Sequence, residues 1–315
     1  MKQLNVAVIG YGHLGKWHAD KVVALEQSHL RYIVDPFPGS RESAKQKHPD
    51  VEVVDSVDKI LENVDAAIVV TPTSLHYEVV EKLLKSNIHV FCEKPMTSTI
   101  EHAKCIGDIL KDRPGLIFQV GHSERCHQIW ERKNEYEDYF RNSPTIRINR
   151  VAEFKGRATD VDVVQDLMIH DIDLLLYLLK EKPTSLRSTG YKIRTDKWDH
   201  VTTDFYFKSG VKASICVGRN HIKEMRDVEV INEKGTLFFD LFQNKLLVGA
   251  GAAQEKFVEE VPYEKRDHLL LEQNYFYNSI LKSDPIFVDY QAGLDAVEII
   301  DCVLRSLESK SEEEL

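Results

Sequence analysis

The chain has 315 residues, 43% hydrophobic and 29% charged, with a net charge of −10. That length predicts two domains rather than one core, and the acidic balance argues against general nucleic-acid binding. No apolar run is long enough to span a bilayer, and glycines interrupt the N-terminus too early for a signal peptide, so a cytoplasmic protein with no membrane partner is expected.

Residues 4–9 are a short apolar run, a predicted strand, followed by Gly10-Tyr11-Gly12-His13-Leu14-Gly15 and a helical pattern of Leu14, Trp17, Val22 and Leu25. This is G-x-G-x-x-G between a strand and a helix. Gly10 permits a tight turn, Gly12 lets the backbone approach a pyrophosphate, and Gly15 lets helix and strand pack closely. The helix N-terminus, opening at His13 and Leu14, offers its amides to the phosphates. A second strand over 30–34 ends in Asp35, 20 residues past Gly15. A carboxylate there binds adenosine ribose hydroxyls and repels a 2′-phosphate, which favours NAD over NADP, while Arg41 nearby softens the choice.

The alternation continues with strands over 51–54, 65–70, 88–92 and 116–121 and helices over 56–63, 74–86 and 99–111. Strands alternating with helices imply a parallel sheet, wound right-handed. The strand over 65–70 ends in Thr71-Pro72-Thr73, with His76 beyond it. The strand over 88–92 ends in Glu93-Lys94-Pro95. Charged residues at the carboxyl end of a buried strand lie on the edge where open α/β sheets bind ligands.

Gly121-His122-Ser123-Glu124-Arg125 leaves the last of these strands. Residues 127–140 read as a polar helix and 145–154 as a strand. The stretch over 166–179 is apolar nearly all round and predicts a buried helix. Its exceptions, Asp166, His170, Asp173 and Tyr177, form one polar stripe. Buried groups of this kind need partners or a water-filled cleft. From Pro183 the texture changes to strands over 185–194, 203–208, 211–217, 227–232, 235–239, 245–248 and 256–261, separated by turn signals. Tight connections imply an antiparallel sheet. With helices over 166–179, 267–282 and 291–307 the second domain is α+β, so the expected domains are 1–121 and 122–315. The open sheet is a natural surface for a homodimer or homotetramer. The tail over 309–315 reads as frayed and solvated. The cysteines, Cys92, Cys105, Cys126, Cys216 and Cys302, are scattered and read as reduced thiols.

With these residues in view, the chain resembles the Gfo/Idh/MocA family of oxidoreductases along essentially its whole length. The matching pieces are Gly10-x-Gly12-x-x-Gly15, Thr71-Pro72 with His76, Glu93-Lys94-Pro95, Gly121-His122 and Asp166-x-x-x-His170-Asp171. The resemblance implies an α/β protein: an N-terminal Rossmann doubly wound parallel sheet plus a C-terminal α+β domain with a large open, mostly antiparallel sheet. It implies an NAD-dependent dehydrogenase that moves hydride between a nicotinamide and the hydroxyl of a sugar or related polyol. The family's catalytic groups carry over to Lys94, Asp166 and His170, and its Lys–Pro bond is often cis. Cofactor contacts fall to Gly10, Gly12, His13, Leu14, Gly15, Asp35, Thr71, Pro72, His76, Glu93 and Lys94.

A narrower similarity runs through Gly121-His122-Ser123-Glu124-Arg125 and the segment from Asp162 to Asp173. It points to the branch that oxidises the 3-hydroxyl of UDP-N-acetylglucosamine or a related nucleotide sugar. That branch continues its Glu-Arg with Phe-Asn-Pro, where this chain has Cys126-His127-Gln128. Substrate contacts then fall to Lys94, His122, Glu124, Arg125, Arg157, Asp166 and His170. A diphosphate also needs cations, which Arg141, Arg147, Arg150, Lys155 and Arg157, or Arg219, Lys223 and Arg226, supply. The alternatives are a dehydrogenase of free sugars or inositols and a cofactor-binding sensor without turnover. Sensors of the family tend to lose the lysine that stands here as Lys94. No H-E-x-x-H or cysteine cluster supports a metal.

Overall fold

Strand β1 (Leu4–Ile9) sends Ala7 and Ile9 to one face of a sheet and Val6 and Val8 to the other, all of them buried. That is the two-residue period of a strand covered on both sides. The covering helices come from alternation along the chain: α1 (His13–Ala24), β2 (Ser28–Val34), α2 (Pro38–Lys47), β3 (Glu52–Val54), β4 (Ala66–Val69), α3 (His76–Lys85), β5 (His89–Glu93), α4 (Ile100–Asp112) and β6 (Phe118–Gly121). The six strands are all parallel, in the order β3-β2-β1-β4-β5-β6. The order reverses between β1 and β4, which is where an open parallel sheet leaves a crevice for ligands.

The computed structural model describes residues 3–156, 159, 161–250 and 258–315. It divides the chain into two units, one containing the residues up to Ser123 with Asp267–Val297, the other Glu124–Arg266 with Glu298–Leu315. The second unit is built on β7 (Thr145–Val151), α5 (Ile169–Leu179), β8 (Ser185–Tyr191), β9 (His200–Tyr206), β10 (Lys212–Gly218), β11 (Met225–Asn232), β12 (Gly235–Asp240), β13 (Lys245–Ala250) and β14 (Val258–Pro262). After these come α6 (His268–Lys282), α7 (Tyr290–Ser309) and β15 (Glu312–Glu314). The nine strands run β14-β13-β12-β11-β7-β10-β9-β8-β15, with β7 and β10 the one parallel pair. Ile146, Ile148, Ile215, Val217, Val228 and Val230 are buried. Arg147 and Lys212, at intervening positions of β7 and β10, are exposed, so one face of the sheet carries the core.

Four expectations are corrected. Helix α6 belongs to the first unit, not the second. Its Phe276 and Tyr277 are fully buried in the same apolar cluster as Val6, Ile33 and Phe91. Burying a phenylalanine is worth about 1.5–3 kcal/mol, and that face decides where the helix goes. The tail is not frayed: β15 pairs antiparallel with β8 and closes that edge of the sheet. Residues Gln128–Phe140 form tight 3₁₀ turns, not an α-helix; only Ile129 and Trp130 of them are buried, too little apolar face to hold a long helix. The helix over 166–179 begins as a π-helical turn, Val164–Met168, and becomes α-helical only at Ile169. Residues 256 and 257, at the start of one expected strand, lie outside the described residues. No described helix is long and apolar enough to cross a membrane.

Candidate functional site

The glycine turn does three different things. Gly10 has φ +94°, and a side chain on it would meet the Val70 carbonyl oxygen at 2.6 Å. A side chain on Gly15 would lie 2.0 Å from the Gly10 carbonyl oxygen, so α1 packs on the turn only because Gly15 has none. At Gly12 nothing among the described residues stands within 4 Å of that position, and none of their side chains caps α1. An open backbone and uncapped amides are what a pyrophosphate requires, so these residues fit a dinucleotide. His13 and Leu14 open the helix beside them. Asp35 follows β2 and is buried. Its Oδ2 accepts from the Tyr11 amide and its Oδ1 from the Phe37 amide, both at 2.8 Å. Arg41 donates from Nη1 to the carbonyls of Asp35 and Pro36 at 2.9 and 2.7 Å.

Strand β5 ends at Glu93, and the Lys94–Pro95 peptide bond is cis. Lys94 is half-buried and Glu93 buried. Glu93 Oε1 lies 2.9 Å from Nε2 of His18, a fully buried residue of α1. Burial opposes ionisation of Glu93, but His18 and Lys94 together hold its carboxyl below the usual carboxylate range. His76 has both ring nitrogens engaged with the main chain. It is buried between two main-chain oxygens, Nδ1 2.8 Å from Pro95 O and Nε2 2.8 Å from Thr71 O. It ties the turn after β4 to the turn after β5, and burial pulls its imidazole below the ordinary histidine range. Thr71 is half-buried, Pro72 is exposed, and His122 is buried just beyond β6.

In the second unit two expected substrate contacts, Glu124 and Arg125, are engaged in ion pairs. Glu124 is buried, with Arg150 Nη1 on its Oε1 at 3.0 Å and His127 Nε2 on its Oε2 at 3.2 Å. Arg150 is itself buried and grips Asp171 through both Nε and Nη2, the shortest contact being 2.7 Å. Burial works against Glu124, yet Arg150, His127 and Arg226 hold it well below the usual range. Burial pushes Asp171 up by more than Arg150 pulls it down, and the charge of Glu124 adds to the rise. Arg125 makes a bidentate pair with Asp173 at 2.6 and 2.8 Å and lies over the Tyr177 ring. Of the polar stripe, Asp173 is thus committed to an ion pair and Tyr177 to a cation–π contact. Asp166 and His170 are half-buried, on the π turn and the first turn of α5 respectively, a class of irregularity common at functional sites.

Beside Asp166 lies a cavity of about 350 Å³, at the carboxyl ends of β7 and β10 and the start of β11. Its charged lining is Arg150, Lys155, Asp166, Arg219, Glu224 and Arg226, with Glu153. Arg219 is committed: it donates to Asp199 Oδ1 at 2.7 Å and to Val161 O at 3.0 Å, which pins the segment leading into the π turn. Asp199 also accepts from the amides of Ile193, Arg194 and Thr195. Arg226 differs. Its nearest ion-pair oxygen among the described residues, Glu124 Oε1, is 3.5 Å away and already taken by Arg150, and its side chain is 42% exposed. Burial and then the charge of Arg150 pull its guanidinium down from its ordinary value. Of the expected cations elsewhere, Arg141 pairs with Glu137 and Arg147 with Glu229. Arg157 lies outside the described residues.

Lys94 and His122 therefore stand in the first unit, Glu124, Arg125, Asp166 and His170 in the second. Sequence reasoning missed His18, Gln273 and Asp199. His18 was accessible in principle, since it shares the buried stripe Gly15, His18, Ala19, Val22 of α1.

A β3-β2-β1-β4-β5-β6 parallel sheet with an open glycine turn, a carboxylate after its second strand and a lysine after its fifth defines a dinucleotide-dependent oxidoreductase. Residues 4–122 match the oxidoreductase family with an NAD-binding Rossmann fold, and residues 136–238 match the GFO/IDH/MocA C-terminal domain. UDP-N-acetylglucosamine 3-dehydrogenase from Acidithiobacillus ferrooxidans is 32% identical over 93% of this chain and 94% of its own. A solved structure of that enzyme matches with a TM-score of 0.89 over 98% of this chain and 99% of its own, at 30% identity. scyllo-Inositol 2-dehydrogenase (NAD(+)) from Bacillus subtilis is 26% identical over 93% of this chain and 91% of its own. The scyllo-inositol dehydrogenase of Lactobacillus casei, solved with NAD(H) and scyllo-inositol, shares the fold, with a TM-score of 0.85 at 21% identity over 99% of each chain. The chain belongs to the Gfo/Idh/MocA family of oxidoreductases.

Proposed function

We propose that this protein oxidises a secondary hydroxyl of a nucleotide sugar with NAD, the 3-hydroxyl of UDP-N-acetylglucosamine being the first candidate. The observation that carries the reading is the cavity beside Asp166, lined by an arginine, Arg226, whose ion-pair partner among the described residues, Glu124, is shared with Arg150. A neutral inositol offers such a guanidinium only hydroxyl acceptors, whereas a diphosphate offers negative charge. The relative at 32% identity supports the same substrate class. The inositol dehydrogenase relatives favour a second reading, a dehydrogenase of free polyols.

In this reading Gly10, Gly12 and the amides of His13, Leu14 and Gly15 hold the pyrophosphate, and Asp35 holds the adenosine ribose. Asp35 favours NAD over NADP. The nicotinamide, when bound, supplies the hydride acceptor. His170 takes the proton of the reacting hydroxyl, a task imidazole suits near neutrality. Lys94 donates hydrogen bonds to the reacting oxygen and stabilises the negative charge that grows there. Asp166 orients and polarises its partner in that pair of tasks. Glu124, Arg125, Asp171 and Asp173 hold the elements in place. The protein works in the cytoplasm, in keeping with five cysteines of which none is in a disulfide, and assembles through the open face of the nine-stranded sheet.

The test is the identity of small molecules released when the purified protein is denatured. Mass spectrometry is expected to find a nicotinamide dinucleotide together with a nucleotide sugar. An inositol or a free sugar in its place would overturn the nucleotide-sugar reading.

A further inference from the structure

Glu93 has no part in the proton and hydride movements above, yet it is one of the most carefully held groups in the first unit. Its carboxylate is divided between two donors. Oε1 accepts from His18 Nε2 at 2.9 Å, and Oε2 accepts from the backbone N–H of Lys94 at 3.2 Å. His18, fully buried on α1, is held in turn by Gln273 of α6. Gln273 Nε2 donates to His18 Nδ1 at 2.9 Å and to the His18 carbonyl at 3.2 Å. Because a carbonyl can only accept, the Gln273 amide has one orientation, and His18 Nδ1 is an acceptor. The His18 proton therefore sits on Nε2, aimed at Glu93. Gln273 Oε1 accepts from the Tyr277 hydroxyl at 3.2 Å. Gln273 and Tyr277 are fully buried as well.

The chain runs Tyr277 to Gln273 to His18 to Glu93, every donor pointing toward the carboxylate. The neighbouring strand makes room for it: a side chain on Gly121 would begin 2.9 Å from Glu93 Oε1. His18 lies on the helix that opens at the glycine turn, three positions past Gly15, while Glu93 closes the strand that delivers Lys94. One hydrogen bond thus ties the dinucleotide turn to the lysine turn, and α6, from the far end of the chain, fixes that bond.

We propose that His18 and Gln273 are positioning residues for Lys94: by fixing the Glu93 carboxylate they fix the main chain at Lys94, and with it the point from which the Lys94 amine works relative to the glycine turn. The proposal rests on the reading that Lys94 serves the reaction. A buried polar chain with every member satisfied rigidifies its surroundings, and a misplacement of about 1 Å away from the chemistry is enough to lower turnover by roughly 10²-fold.

The test compares His18→Leu, which removes the donor, with His18→Gln, which offers an amide N–H in its place. Gln273→Met removes only the outer link. Amide hydrogen exchange at residue 94, melting temperature, NAD affinity, kcat and KM are measured on the full chain. His18→Leu is expected to speed exchange at Lys94 by at least about tenfold and to lower kcat by roughly 10- to 100-fold. The KM for substrate should stay within about twofold, and His18→Gln should recover both exchange protection and most of kcat. If His18→Leu fails to fold, Gln273→Met should move exchange and kcat in the same direction by less. Wild-type exchange at Lys94 in the folded variants would overturn the proposal. So would a loss of melting temperature or a rise in KM with kcat unchanged, or a failure of His18→Gln to recover anything. Lys94→Ala separates the two ideas. If it keeps wild-type turnover, the reading of Lys94 falls, while exchange at position 94 still decides whether His18 holds the turn.

Discussion

Arg226 is the residue on which the substrate assignment turns. Its carboxylate neighbour at 3.5 Å already serves Arg150, so an incoming anion gains a charge-assisted hydrogen bond with little competition. Arg226→Gln should raise the KM for a nucleotide sugar by roughly 10- to 100-fold with a smaller change in kcat, because it removes binding shared by ground and transition states. An unchanged KM would take the anion away from Arg226. His170→Ala should lower kcat by roughly 10²–10⁴-fold, the range for a positioned acid or base; unchanged turnover would leave Lys94 as the base. Asp35→Asn should move the cofactor preference toward NADP, since the amide no longer repels a 2′-phosphate and Arg41 stays in place. Initial rates with the two cofactors measure it, and an unshifted ratio would remove Asp35 from that choice. Glycine, Asp35 and Lys94 were legible in the sequence because each has a fixed place in a local strand-turn-helix unit. The ion pairs of Glu124 and Arg125 were not legible, for the opposite reason. Their partners, Arg150 and Asp173, lie 26 and 48 positions away, and no local spacing announces a buried ion pair.

Among the elements, the loop between β8 and β9 holds the approach to Asp166. Asp199 gathers three backbone amides and Arg219 there, and although burial opposes its ionisation these donors hold it far below the usual carboxylate range. An unfolded aspartate takes up its proton near about pH 4, while the folded one still refuses it. Stability from this group is therefore full above that pH and drains away as pH falls further toward the folded value. Asp199→Asn should cost about 3–5 kcal/mol near neutrality, because it leaves Arg219 buried without its charge partner. It should also flatten the acid limb of stability, as read by urea unfolding across a pH series. An acid limb as steep as the wild type's would show that other groups carry it. Strand β15 makes a different prediction. Removing residues 311–315 uncovers the edge of β8, and concentration-dependent association should follow, visible by light scattering. A truncated chain that stays as dispersed as the full one would mean that the edge needs no cover. The tail escaped sequence reading because Ser311-Glu312-Glu313-Glu314 is polar. Its pairing comes from Arg305 on Glu313 and Ser306 on the Ser311 carbonyl, contacts made after a left-handed residue, Lys310.

For the whole molecule, the division of labour was readable where the texture of the chain changes. Alternating strands and helices gave way near Pro183 to strands with tight turns, and these make up most of the nine-stranded sheet, although its middle strand, β7, comes earlier in the chain. Helix α6 was placed with the wrong unit because sequence order suggests neighbours, whereas Phe276 and Tyr277 find their apolar partners beside Val6 and Phe91. The nine-stranded sheet presents Arg187, Asp204, Lys212 and Arg147 on exposed positions. Membership of the oxidoreductase family leaves the substrate as the central claim. The most direct measurement is kcat/KM with NAD, followed by NADH absorbance, for UDP-N-acetylglucosamine against free N-acetylglucosamine and scyllo-inositol. A preference for the nucleotide sugar of at least about 10²-fold is expected, the scale of one well-made charged contact. Equal rates, or a preference for the free sugar or the inositol, would contradict it.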